Sequence, residues 1–199
     1  MSIHIELLPP TDRRIRKAVP SKMCCWISSY AEAAARLAGV TTANWVIHLV
    51  NDKRMIHYHQ QTMNLATITD VLTFNYTDTH IPNAPLDIET IICVDEAERQ
   101  AIVHNHLLPE LEMLLYAIHS LLHCVGYDDT SSAKALRMHR KEDALLRQMA
   151  LPAVYYTSSH GAVSSNASNN ASNNTSHKAA AVAMVSFKGT KTRGKGRQR

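Results

Sequence analysis

His119 and His123 stand four residues apart near the end of a run that otherwise reads as an apolar helix, and Gly126 follows at once. On a helix that spacing stacks both imidazoles on one face. Gly126 breaks the helix, because glycine takes the left-handed conformation of a C-cap at little steric cost. The turn brings Asp128 or Asp129 back toward the two rings. Two ring nitrogens and one carboxylate oxygen are a donor set that holds zinc with a fourth position left for water. The pattern points to a catalytic metal site at a helix end. With 12 histidines in 199 residues, some such pairs arise by chance, and His119 beside Ile118, Leu121 and Leu122 also reads as a core histidine. The metal reading rests on the combination of helix end, glycine turn and carboxylates. Cys124 is a rival ligand, but it directly follows His123 and so points away from the histidine face of the helix.

A chain of this length, 45% hydrophobic, supports one domain with a real core. No run of eighteen apolar residues occurs, so no membrane span is expected. Met1 to Pro10 carries Glu6 and no early basic region, so it does not read as a signal peptide. Cys24, Cys25, Cys93 and Cys124 form no Cys-x-x-Cys and no disulfide framework; they read as reduced thiols of a cytoplasmic protein.

Hydrophobic periodicity predicts an α+β fold: a single domain over residues 1–150, with a roughly four-stranded mixed sheet packed with about five helices. The expected strands are Ser2 to Leu8, Asn44 to Val50, Thr69 to Tyr76 and Glu89 to Val94. A basic turn, Arg13 to Lys17, follows the first strand. Helices are expected from Ser21, as cap, to Ala38; from Asn51-Asp52 to about Gln61; from Asp95 to about His106; from Pro109 onward; and from Ser131 or Ser132 to about Met149. The helix from Pro109 has the broadest apolar face, Leu111, Leu114, Leu115, Ile118, Leu121 and Leu122, with the two histidines on its margin.

Residues 151–199 read as a low-complexity Ser/Asn/Ala linker and a basic tail, disordered because they cannot bury enough apolar surface to fold. Charge follows the same division. Residues 1–177 hold 14 basic and 17 acidic residues, whereas seven Lys/Arg and no acid occur from Lys178 onward. The folded body is mildly acidic, and any contact with RNA phosphates through net charge belongs to the tail.

The stretch His119-Ser120-Leu121-Leu122-His123-Cys124-Val125-Gly126-Tyr127-Asp128-Asp129 resembles the YbeY family signature His-Gly-x-Leu-His-Leu-x-Gly-Tyr-Asp-His with unbroken spacing. Ile68-Thr69-Asp70-Val71-Leu72-Thr73-Phe74 is similar to the family's Pro-Thr-Asp-Val-Leu-Ser/Thr-Phe block. Ile88-Glu89-Thr90-Ile91-Ile92 is similar to its Gly-Asp/Glu-Ile-x-Ile strand. The likeness covers about residues 2 to 150 and none of the tail. It implies a zinc-dependent, single-strand-specific endoribonuclease that matures the 3′ end of small-subunit ribosomal RNA. The implied partners are single-stranded RNA, ribosomal RNA and the small ribosomal subunit, with no membrane. It also implies one zinc per chain, held by His119, His123 and, in the place of the motif's final histidine, Asp129; Asp128 is the alternative third ligand. The same three residues are the catalytic set.

A carboxylate in that third place makes the site more negative and its bound water a weaker acid than three neutral imidazoles would. Ser120 replaces the family's glycine, and Ile88 another. Met63 stands where the family tends to carry an arginine facing the cleft, and no Lys or Arg occurs between Arg54 and Arg99. His57, His59 or the tail are the remaining sources of positive charge. Thr69, Asp70, Tyr127 and Glu89 are secondary candidates, Asp70 to orient a ligand histidine or cap a turn, Tyr127 to stack on a base or pack on the turn, Glu89 as a supporting acid or salt-bridge partner. His139 is expected outside the site. A peptidase is disfavoured, because Ser120 occupies the place of the glutamate in His-Glu-x-x-His. The rival from another class is a non-catalytic RNA-binding ribosome-assembly factor that keeps the fold and a metal. Metal-assisted attack by water and attack by a 2′-hydroxyl are both compatible with the sequence.

Overall fold

The computed structural model describes residues 2–103, 108–155 and 183–186. Four strands lie where periodicity expects them: β1 (Ile3–Leu8), β2 (Ala43–Val50), β3 (Val71–Asn75) and β4 (Leu86–Cys93). A fifth, β5 (Ala183–Ser186), comes from the tail. Their spatial order is β1-β2-β4-β3-β5. β1, β2 and β4 run parallel, β3 is antiparallel to β4, and β5 is parallel to β3. The mixed sheet and single α+β domain are as expected.

Alternation in β2 sets the two faces of the sheet. Ala43, Trp45, Ile47 and Leu49 are buried in the main core. Trp45 is fully buried, and its Nε1–H donates to Thr90 Oγ1 at 2.9 Å, so the indole carries no unpaired polar atom into the core. Leu72, Phe74, Ile91 and Cys93 face the other way, where Met55 and Tyr58 pack on them.

Among the described residues six helices surround the sheet: α1 (Arg13–Ala18), α2 (Ser21–Leu37), α3 (Asp52–Met63), α4 (Val94–Val103), α5 (Pro109–Cys124) and α6 (Ser132–Gln148). The basic turn expected at 13–17 is the helix α1. Asp12 caps it by accepting from Arg14 N at 2.8 Å and Ile15 N at 3.2 Å, and Ile15 is buried. Ser21 is the first helical residue of α2 rather than its cap; Pro20 holds that place without a side-chain bond. Asn51 and Ser131 cap α3 and α6. The expected end of α4 at His106 lies outside the described residues.

α5 is the packing centre. Every residue from Leu111 to Leu122 is buried, so His119, foreseen on the margin of the apolar face, lies inside the protein, while His123 is half-buried. Full burial of Leu114, Ile118, Leu121 and Leu122 contributes about 1.5–3 kcal/mol each before entropy is counted. Ser120 faces β3, its Oγ 2.6 Å from Thr73 Oγ1, both residues fully buried.

Of the segment 151–199, the described pieces are residues 151–155 and 183–186. Leu151, Val154 and Tyr155 pack against the main core, and the backbone of β5 pairs with the edge of β3. The rest of the linker and the basic run 188–199 lie outside the described residues.

Candidate metal centre

Three side chains converge at the C-terminal end of α5. His119 and His123 sit one turn apart, their rings at right angles with centroids 4.7 Å apart. Their Nε2 atoms approach to 3.2 Å. The helix ends at Val125, and Gly126 continues at φ 97°, with no atom within 4 Å of where a Cβ would stand. Glycine is therefore required by backbone conformation, not by space. That turn returns the chain, Tyr127 N donating to Leu122 O at 2.9 Å. Asp129 then lies over the histidines, Oδ2 at 3.7 Å from His119 Nε2 and Oδ1 at 3.9 Å from His123 Nε2.

Each ring is held by its other nitrogen. His119 Nδ1 lies 2.6 Å from Glu142 Oε1, and His123 Nδ1 lies 3.1 Å from the Tyr127 carbonyl oxygen. Both partners only accept, so both Nδ1 atoms carry the proton and donate. In the neutral rings both Nε2 lone pairs then point at each other and at a carboxylate. Three acceptors facing one another repel unless a cation lies among them. Donors at about 2.0–2.1 Å from one zinc at tetrahedral angles stand about 3.3 Å apart. The three ligand atoms here all lie within 4.8 Å of one another. The donor set fits a zinc ion.

Charge around the site also suits a cation. Burial alone would lower His119, but the hydrogen bond and charge of Glu142, then Asp70 and Asp129, outweigh it and raise the imidazole above its usual range. His123 moves the other way, lowered by burial and then by the neighbouring charge of His119. Two rings in contact shift apart in this way because only one of them is readily charged.

The other candidates sort clearly. Asp128 turns outward: its side chain is 40% exposed, takes Lys134 Nζ at 2.6 Å, and accepts from Thr130 N at 3.0 Å and Thr130 Oγ1 at 2.8 Å. Those bonds hold its carboxyl well below the usual carboxylate range. Its register is wrong for the histidines, and Asp129 is the carboxylate that meets them. Cys124 packs on the core, and burial pushes its thiol up to about 12. Asp70 caps its own turn, accepting from Val71 N at 2.8 Å and Thr69 Oγ1 at 3.1 Å. Burial pushes its carboxyl up, against the opposing charge of His119. Orientation of His119 through its second nitrogen falls to Glu142 instead.

Tyr127 packs on the core with the Arg137 guanidinium 5.2 Å above its ring. Glu89 pairs with His48 at 2.8 Å and Tyr76 at 3.2 Å; β4 alternation puts it on the sheet face opposite the main core. His59 is buried, with Nδ1 at 2.8 Å from Thr67 O, so it ties down a loop rather than offering charge to a substrate. His57 is exposed and Met63 lies 44% exposed at the end of α3. Ile88 is core.

Glu142 is the residue that sequence reading missed. It is fully buried on α6, four residues after the core residue Met138. Its one sequence signal is an acid in line with the apolar stripe Met138, Leu145 and Leu146.

A sequence model of the endoribonuclease YbeY family matches residues 12–150. Among curated relatives called Endoribonuclease YbeY, that of Neorickettsia sennetsu is 31% identical over 55% of this chain and 75% of its own length. That of Desulfitobacterium hafniense is 33% identical over 52% of this chain and 69% of its own. A solution structure of a Thermotoga maritima protein shares the fold, with a TM-score of 0.50 and 20% identity over 74% of this chain and 92% of the other.

Proposed function

Since the chain belongs to the endoribonuclease YbeY family, we propose that it is a zinc-dependent endoribonuclease that cleaves single-stranded RNA. Its setting in this reading is the cytoplasm, its task 3′ maturation of small-subunit ribosomal RNA, and its partner the small ribosomal subunit. Among the described residues no helix is long and apolar enough to cross a membrane. The observation that carries the reading is the pair of Nε2 atoms 3.2 Å apart, with both Nδ1 protons already committed and the Asp129 carboxylate over them.

His119, His123 and Asp129 hold one zinc in this account. A bound zinc supplies Lewis acidity at a phosphoryl oxygen and lowers the pKa of a coordinated water. The residues of the chain do the rest. Glu142 fixes the His119 tautomer and adds buried negative charge behind it, as carboxylates behind ligand histidines do. The Tyr127 carbonyl does the same for His123 from the Gly126 turn. Asp129 contributes the formal charge that offsets the dication. Cations for the RNA backbone come from the basic run 188–199, because the sequence supplies none between Arg54 and Arg99.

The test is cleavage of a single-stranded ribosomal RNA fragment by the full chain. The native chain cuts it, and His123→Ala does not, while RNA binding is retained. Binding without cleavage by the native, zinc-loaded chain would favour the RNA-binding assembly factor instead. Cleavage untouched by His123→Ala would show the site to be elsewhere.

A further inference from the structure

Residues 151–155 form a short strap beyond the end of α6 and past the family-matched region. The chain reverses at Ala150, φ 57°, and Leu151 N donates to Leu146 O at 2.9 Å. Asp143, fully buried, then accepts from Val154 N at 2.8 Å and Tyr155 N at 3.1 Å on the same oxygen. The strap is thereby pinned to the residue next to Glu142. The Tyr155 ring stacks on His139, centroids 3.9 Å apart and planes within 8°.

This packing sets the Tyr155 ring on the face of α6 that carries His139 and, one turn on, Glu142; the carboxylate there acts on the phenol and helps raise it. Glu142 Oε1 is committed to His119 Nδ1 at 2.6 Å. Its Oε2 is buried and has no hydrogen-bond partner among the described residues. A buried carboxylate oxygen without a donor is costly, so the neighbouring phenol is under pressure to supply one. Burial, and then the charges of Glu142, Glu112 and Asp70, raise the phenol well above its ordinary range, so it stays a donor.

We propose that Tyr155 is a positioning residue for the metal centre: its hydroxyl donates to Glu142 and holds that carboxylate where it fixes His119 with Nε2 toward His123 and Asp129. The proposal rests on the metal-site reading above. It makes the strap part of the site, reaching the metal position through two hydrogen bonds, Tyr155 to Glu142 and Glu142 to His119. A ligand histidine whose ring is fixed this way loses less freedom when it binds, and outer partners of this kind are worth about 10–100-fold in metal affinity.

The experiment uses the full chain and measures zinc affinity by competition with a chromophoric chelator. Histidine 15N spectra of the zinc-free chain report the His119 tautomer. Tyr155→Phe keeps the stack on His139 and the backbone bonds to Asp143. It is expected to weaken zinc binding about 3- to 10-fold and to reduce the Nδ1–H tautomer of His119. Glu142→Gln is expected to weaken binding more, and Tyr155→Phe to add little on that background. Val154→Ala trims strap packing but keeps both backbone bonds to Asp143 and the Tyr155 ring in place, so zinc affinity should stay native.

Native zinc affinity and native His119 signals in Tyr155→Phe would overturn the proposal. So would a full additional loss on the Glu142→Gln background, or an equal loss in Val154→Ala, which would mark a merely structural strap. A native chain that binds no zinc would instead overturn the site reading, and the proposal with it.

Discussion

Ser120 and Thr73 share a hydroxyl–hydroxyl hydrogen bond of 2.6 Å, both side chains fully buried between α5 and β3. Ser120 follows His119 directly, so this bond sets how α5 lies on the sheet one residue from the candidate ligand. It also explains how serine is accommodated in place of the family's glycine: the hydroxyl has a partner. Ser120→Ala leaves the Thr73 hydroxyl buried and unpaired, at an expected cost of about 1–3 kcal/mol. Adding Thr73→Val removes both polar atoms and should return most of that loss. Urea denaturation checks both, and a Ser120→Ala chain as stable as the native one would contradict the assignment.

Asp129 and Asp128 are adjacent but face different ways, so their amide variants should separate cleanly. Asp129→Asn should lower zinc occupancy by at least about 10-fold, since among the described residues it removes the one anionic donor at the two Nε2 atoms. Asp128→Asn should leave occupancy near native and instead release Lys134 at the start of α6. Elemental analysis of both variants decides; the reverse pattern would move the third ligand by one residue.

Arg99 bridges α3 and α4. Its guanidinium grips Asp52 at 2.8 and 2.9 Å and reaches Glu96 at 2.6 Å. Arg99→Ala should cost only about 0.5–1 kcal/mol near pH 7, because these groups are partly exposed and screened. The Arg99 hydrogen bond, the largest influence, holds the Asp52 carboxyl below its ordinary value despite partial burial. The contribution of Asp52 is therefore present above its unfolded pKa of about 4 and lost as pH falls through the lower folded value. The stability gap between native and Arg99→Ala should shrink on acidification below about pH 4. A gap that widened there would reverse the assignment.

Removing residues 156–199 takes away the seven Lys/Arg that occur from Lys178 onward. RNA affinity should fall, most at low salt, and the salt dependence should flatten by about 0.7 for each phosphate the tail had neutralised. Filter binding of a single-stranded RNA across a salt series measures it. An unchanged slope would show that the tail neutralises no phosphate.

The sequence carried the centre of this picture because its signals are local. Two histidines at i,i+4, a glycine that must take positive φ, and an acid three residues later are all set within one turn and its exit. The strands were legible for the same reason, since alternation is a nearest-neighbour pattern. Glu142 and Tyr155 were not legible, because their meaning arises only when α6 packs beside α5 and the strap folds back. α1 was hidden by its charge: four of the five residues from Arg13 to Lys17 are cations, and only the Asp12 cap and buried Ile15 mark a helix. The strand order places β4 between β2 and β3, a long-range choice that no local pattern encodes.

The most direct test of the central claim is the metal content of the full chain, purified without added metal or affinity-tag histidines. The account predicts about one zinc per chain, with the Nε2 pair and Asp129 as its donors, and loss of that zinc in His123→Ala. A well-folded chain with no stoichiometric metal, which also refuses added zinc, would contradict it.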